Sequence, residues 1–262
     1  MSILWIIPVS VGWIIGWIVN YLADVLPSTR RLTPPTCLQC SSSYSWMDYL
    51  LFRPCKNGHK RNVRVWMVQV ILLAFSLYIW NQPPPKIGYW SGILLLIYLG
   101  TVFVIDMEHR LILHPTSIVG SLLALGLGTI SHGLVPTLLG GLGGLLIMLA
   151  FYFFGVWFSK IRAKRMHAQG LEVDDEEALG AGDVILVTVI GFLVGWPLIW
   201  FCILISILLG GVVSLFLVIG LLLTRRYETN ALMMFIPYGP YFLLGAALIV
   251  FFPAVLKALV PG

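Results

Sequence analysis

The sequence predicts an all-α integral membrane protein of about eight transmembrane helices, with a small cysteine-bearing cytoplasmic loop domain between helices 1 and 2. Two observations carry that expectation. The chain is 59% hydrophobic and only 10% charged, far from the roughly 25% charged residues of an ordinary soluble domain. Apolar stretches long enough to cross a hydrocarbon core of about 30 Å, which takes roughly 20 helical residues, recur along its whole length instead of forming one anchor.

The first stretch, from Ile3 to about Tyr21, lacks a basic leader and a small-residue cleavage site. It therefore reads as a retained span and not as a removed signal peptide. Further spans are expected near Val65 to Trp80, Ile87 to Ile105, Ser117 to Ile130, Thr137 to Phe158, Glu177 to Trp196, Leu198 to Leu223 and Phe235 to Lys257. Trp5, Trp80, Trp90 and Trp196 fall near proposed span ends, as an interfacial belt would require. The run GLGGLL at 141–146 offers small faces for close helix packing.

Basic residues set the expected orientation, because cytoplasmic loops carry excess Lys and Arg. The loop after the first span and the loop after the fifth hold most of them. With eight spans, 14 of the 16 basic residues fall on one face, all but Lys86 and Lys257. Topology thus accounts for the formal charge of +5, and no nucleic-acid partner is implied. The expected layout is helix 1 over 1–22, a cytoplasmic loop domain over 23–64 and a seven-helix membrane core over 65–262.

The loop domain contains CLQC at 37–40 and CKNGH at 55–59. Cys37 and Cys40 stand at a spacing that lets two thiolates hold one ion from a tight turn, and Cys55 with His59 can close a tetrahedron around zinc. The alternative is a set of reduced, unliganded thiols in a reducing cytoplasm. Cys202, in the middle of a span, is most simply a packing residue.

Two carboxylates stand at the edges of apolar runs, Asp106 closing LGTVFVID and Asp183 opening DVILVTVIGFLV. Too few residues separate Asp183 from the Gly195-Trp196-Pro197 turn to cross a bilayer. A span beginning near Glu177 would place Asp183 about 9 Å inside it. Ionisable groups at such depth are costly and mark function. Gly180 and Gly182 beside it let backbone pass close to an extended substrate. Two neighbouring carboxylates share a proton, so that one can activate water while the other polarises a peptide carbonyl. The competing reading is that each aspartate caps a helix or pairs with a nearby base.

Four segments together resemble the type IV prepilin peptidases, bacterial members of the GxGD membrane aspartyl proteases. They are GWIIGWIVNYLADVLP at 12–27, VIDMEHRLILHP at 104–115, LGAGDVIL at 179–186 and IPYGPYFLLGAAL at 236–248. The resemblance implies an endopeptidase with Asp106 and Asp183 as its catalytic pair, needing no cofactor for proteolysis. It would cut a basic leader from type IV prepilins or pseudopilins after glycine. The site would face the cytoplasm from the bacterial inner membrane, with the lipid bilayer as solvent. Many relatives then methylate the new N-terminus with S-adenosylmethionine, an activity associated with the cysteine loop. The chain departs from the family pattern at Ile185, where Lys is usual, and at Gly58, where a fourth loop cysteine is usual.

The run EVDDEE at 172–177 holds five of the 11 acidic residues just before Asp183. Glu176 and Glu177 are thus placed to meet a basic leader by electrostatic steering, or else simply to balance Lys160 to Arg165. A different functional class is also open on these residues. A multispan proton- or cation-coupled transporter would use Asp106 and Asp183 as ion sites, although no pairing of two halves is visible.

Overall fold

A computed structural model describes residues 5–37, 39–168, 180–223 and 237–254. Among these residues the structure is helical, with one isolated antiparallel bridge between Thr36 and Ser43. The helices are α1 (Ile6–Thr29), α2 (Trp46–Leu50), α3 (Val63–Asn81), α4 (Gly88–His109), α5 (His114–His132), α6 (Leu134–Ala168), α7 (Ala181–Val194), α8 (Leu198–Leu223) and α9 (Gly239–Phe251). Five are long and apolar enough to cross a membrane: α1, α3, α4, α6 over Leu134–Ile161, and α8. Two more, α7 and α9, are shorter apolar helices. The protein is therefore a multi-pass, all-α membrane protein with three of its four cysteines clustered between α1 and α3.

Several expected boundaries move. α1 runs on to Thr29, through the expected division between residues 22 and 23. Its last turns are held by buried Asp24 and closed by Arg30 in a left-handed conformation, whose N–H donates to the Leu26 carbonyl. α6 carries the basic run after Phe158 as helix to Ala168, where a loop was expected. α7 begins at Ala181, after Gly180 in an extended conformation with ψ of 143°. Asp183 therefore lies in the first turn, about 3 Å along the helix and not about 9 Å inside it. Glu177, where the span was expected to start, lies outside the described residues.

The chain divides into two compact units, one of residues 1–118 with 250–262 and one of residues 119–249. In the first unit, α1 and α3 pack antiparallel along a seam of small and polar residues. A side chain added at Gly12 would strike the Leu73 backbone at 2.8 Å. Gln69 donates from Nε2 to the Trp13 carbonyl at 2.7 Å, Ser76 from Oγ to the Pro8 carbonyl at 2.8 Å and Asn20 from Nδ2 to the Val65 carbonyl at 3.2 Å. Asn20, Gln69 and Ser76 are fully buried. Lipid tails are as apolar as leucine, so such helices associate through close backbone approach and interhelical hydrogen bonds, which small residues permit.

In the second unit, α6 and α7 approach each other through glycine in the same way. Gly144 faces the Val187 carbonyl, where an added Cβ would stand 2.8 Å from the oxygen, and Gly140 lies against Gly191 and Gly195. The expectation that GLGGLL serves packing is met here. Gly144→Leu should overpack this seam and destabilise the protein by about 1–3 kcal/mol. Thermal unfolding in detergent measures this, and an unchanged Tm would show that the seam yields freely.

Candidate metal centre and candidate catalytic carboxylates

The cysteine segment folds as two tight turns brought face to face. In the first, Cys37 donates its N–H to the Ser42 carbonyl and accepts from the N–H of Ser41. In the second, Cys55 donates to the His59 carbonyl at 3.1 Å, and Gly58 returns its N–H to the Cys55 carbonyl at 2.8 Å. Gly58 has φ of 81°, a left-handed conformation that glycine adopts without steric cost and that an Asn-Gly turn favours. The position that breaks the family's cysteine pattern is thus a turn position, and the next residue supplies the fourth donor.

Cys37, Cys40, Cys55 and His59 converge, with all four ligand atoms within 4.8 Å of one another. The edges are 3.7 Å between the sulfurs of Cys40 and Cys55, 3.4 Å from Cys55 Sγ to His59 Nδ1 and 3.9 Å from Cys37 Sγ to His59 Nδ1. A zinc ion about 2.3 Å from sulfur and about 2.0 Å from nitrogen needs tetrahedral edges of roughly 3.5–3.8 Å. The donor set fits zinc. The sulfurs of Cys40 and Cys55 stand too far apart for a disulfide of about 2.05 Å, and all four cysteines of the chain are free thiols. Hydrogen bonds from the Ser42 hydroxyl and backbone lower the Cys40 thiol to about 6, so it is largely thiolate at neutral pH and ready to bind metal. Bonds to Cys40 and then Cys37 push the His59 imidazole up.

Beneath this cluster, Cys37 and Cys55 share a small core with Tyr44 and Tyr49. Tyr49 donates its hydroxyl to Asp24 Oδ2 at 2.7 Å, and burial together with the Asp24 charge holds its phenol protonated. Arg61 reaches the same oxygen at 3.5 Å while its guanidinium lies 4.0 Å from the Tyr49 ring centroid. Arg64 pairs with Asp24 Oδ1 and, through its other terminal nitrogen, with Glu108 Oε2 at 3.2 Å. The carboxylate of Asp24 is 2% exposed. None of these residues stands out as functional in the sequence, where Arg61 and Arg64 serve only to set topology. The available signal is the four-residue stripe Gly12, Gly16, Asn20 and Asp24, one face of α1 that ends in a charge.

Asp106 lies one turn from the C-terminus of α4, where Arg110 in a left-handed conformation donates its N–H to the Asp106 carbonyl at 2.9 Å. Its side chain is buried, 4% exposed, and Oδ2 meets no hydrogen-bond partner among the described residues. Asp183 is half-buried in the first turn of α7, and its N–H donates to the Gly180 carbonyl at 3.0 Å. A carboxylate there is favoured by the partial positive charge of a helix N-terminus. Gly180 is exposed and extended just before the helix, and Gly182 is half-buried within it. Glu176 and Glu177 lie outside the described residues.

Two results should follow from the loop geometry. Purified protein should carry about one zinc per chain by elemental analysis, Cys55→Ser and His59→Ala should lose it, and Cys202→Ser should keep it. Asp24→Asn should destabilise the fold by roughly 3 kcal/mol, because it leaves the buried Arg61 guanidinium without its carboxylate and Arg64 with Glu108 alone. Chemical unfolding in detergent would read that loss.

Compared with known families, residues 93–215 match the Type IV leader peptidase family. The match covers a little under half of the chain, from α4 into α8, and includes both Asp106 and Asp183. Comparison with curated proteins and with solved structures found no match.

Proposed function

We propose that this chain, a type IV leader peptidase family sequence over residues 93–215, is an aspartyl endopeptidase that removes basic leaders from type IV prepilins or pseudopilins. The observation that carries the reading is Asp106. Within the family match it is a buried carboxylate whose Oδ2 has no partner among the described residues. A polar group kept from water without a hydrogen bond costs free energy, and such groups are retained where chemistry uses them.

In this reading Asp106 and Asp183 share one proton. The ionised member takes a proton from water as its oxygen attacks the scissile carbonyl, and the protonated member donates a hydrogen bond to that carbonyl oxygen. Collapse of the tetrahedral intermediate hands a proton to the leaving amine, which becomes the N-terminus of the mature pilin. Extended Gly180 and half-buried Gly182 leave room for substrate backbone beside Asp183. The acidic run that includes Glu176 and Glu177 attracts the basic leader. Cleavage takes place at the cytoplasmic face of the bacterial inner membrane. The cysteine knuckle would hold a structural zinc, and one added methyl group on the product would mark a following N-methylation with S-adenosylmethionine.

Asp106→Asn and Asp183→Asn should each abolish leader cleavage of a reconstituted prepilin while leaving helix content unchanged. Mass spectrometry of the product reads the cut site, and a gain of about 14 Da, one methyl group, on the new N-terminus reads methylation. Full cleavage by either variant would end the two-aspartate mechanism. Neutralising residues 172–177 should slow cleavage most at low salt, since steering is screened within about 10 Å at 0.1 M ionic strength. Equal rates at all salt concentrations would remove the steering role.

A further inference from the structure

We propose that Arg64 and Glu108 are positioning residues for Asp106, an inference that rests on the reading of Asp106 as a catalytic carboxylate. Glu108 follows Asp106 by two residues in the last turns of α4. At 3.6 residues per turn the two side chains leave the helix about 200° apart. Holding Glu108 on one side therefore sets the rotation that turns Asp106 to the other. The structure shows both halves of this arrangement, since Asp106 is buried while the Glu108 side chain, 32% exposed, is bonded to Arg64 at 3.2 Å.

The anchor is itself immobilised. Arg64 sits in the first turn of α3 and is 11% exposed, and its second terminal nitrogen is paired with Asp24. Asp24 in turn accepts from Tyr49 and lies within 3.5 Å of Arg61. A planar guanidinium can serve two carboxylates at once from one fixed orientation, which a lysine ammonium does not reproduce. Helix ends fray, and Glu108 is the penultimate residue of α4. A tether there bears directly on the turn that presents Asp106. Partly exposed ion pairs contribute little to stability. The expected signature of positioning is a loss of turnover at unchanged Tm.

The test uses the full chain in one lipid–detergent mixture and a prepilin with a basic leader. It compares wild type with Glu108→Gln, Glu108→Asp, Arg64→Lys, the Arg64→Lys/Glu108→Gln double variant and Asp106→Asn. Misplacing a reacting group by about 1 Å costs roughly 100-fold, so Glu108→Gln should lower kcat by about tenfold or more, with KM within about twofold and Tm unchanged. Glu108→Asp, which keeps the charge, should recover most of that loss. Arg64→Lys should fall as Glu108→Gln does, and the double variant no further, because the two residues act as one unit. Wild-type kinetics in Glu108→Gln beside an inactive Asp106→Asn would overturn the positioning role and leave the proposed function standing. The same holds for a kcat loss that tracks a fall in Tm without rescue by aspartate, and for additive losses in the double variant. An active Asp106→Asn would overturn both.

Discussion

Asp24 is a carboxylate removed from water near the end of a membrane helix, and the first unit is organised around satisfying it. Bringing such a charge out of water costs several kcal/mol per ion unless partners with good geometry surround it. The partners come from three places: Tyr49 on α2, Arg61 in the segment before α3, and Arg64 on α3 itself. The polar loop is therefore drawn back onto α1. Once Tyr49 is in place it also carries Arg61 on its ring and closes the floor under Cys37 and Cys55. One buried charge thus links the metal-binding turns, the first helix and, through Arg64, the end of α4.

The two units solve the same packing problem differently. In lipid, hydrophobicity does not drive helices together, so close approach must. α1 and α3 combine glycine with hydrogen-bonding side chains at Asn20, Gln69 and Ser76. α6 and α7 approach through glycine, against backbone at Gly140, Gly144 and Gly191 and against the Phe192 ring at Gly141. Side-chain bonds in the first unit fix register as well as distance, which suits a region whose helix ends must meet a folded loop.

Much of this was legible in the residues. Long apolar runs announced the helices, and α8 begins at Leu198 as expected, because Pro197 marks the edge of a charge-free run. The donor spacing of Cys37, Cys40, Cys55 and His59 announced the cluster, since two short turns allow few other arrangements. What stayed hidden depended on contacts between distant segments. The end of α1 was set too early because Asp24 reads as a loop charge until Arg61 and Arg64 are seen around it. The start of α7 was set too early because an acidic run followed by Leu-Gly-Ala-Gly gives hydropathy no edge to detect, whereas the extended Gly180 does. Nothing in the sequence singles out Glu108, since its partner lies 44 residues away.

α7 has 14 residues, about 21 Å of helix, against a hydrocarbon core of about 30 Å. A segment short by that margin is accommodated by local thinning of the bilayer or by flanking groups reaching outward, each at a modest cost per ångström. Asp183 stands in the first turn, at the Gly180 end of this helix. With α7 read as a span, membrane thickness becomes a physical parameter of the Asp183 environment, and the lipid composition around the protein bears on how readily water reaches that carboxylate.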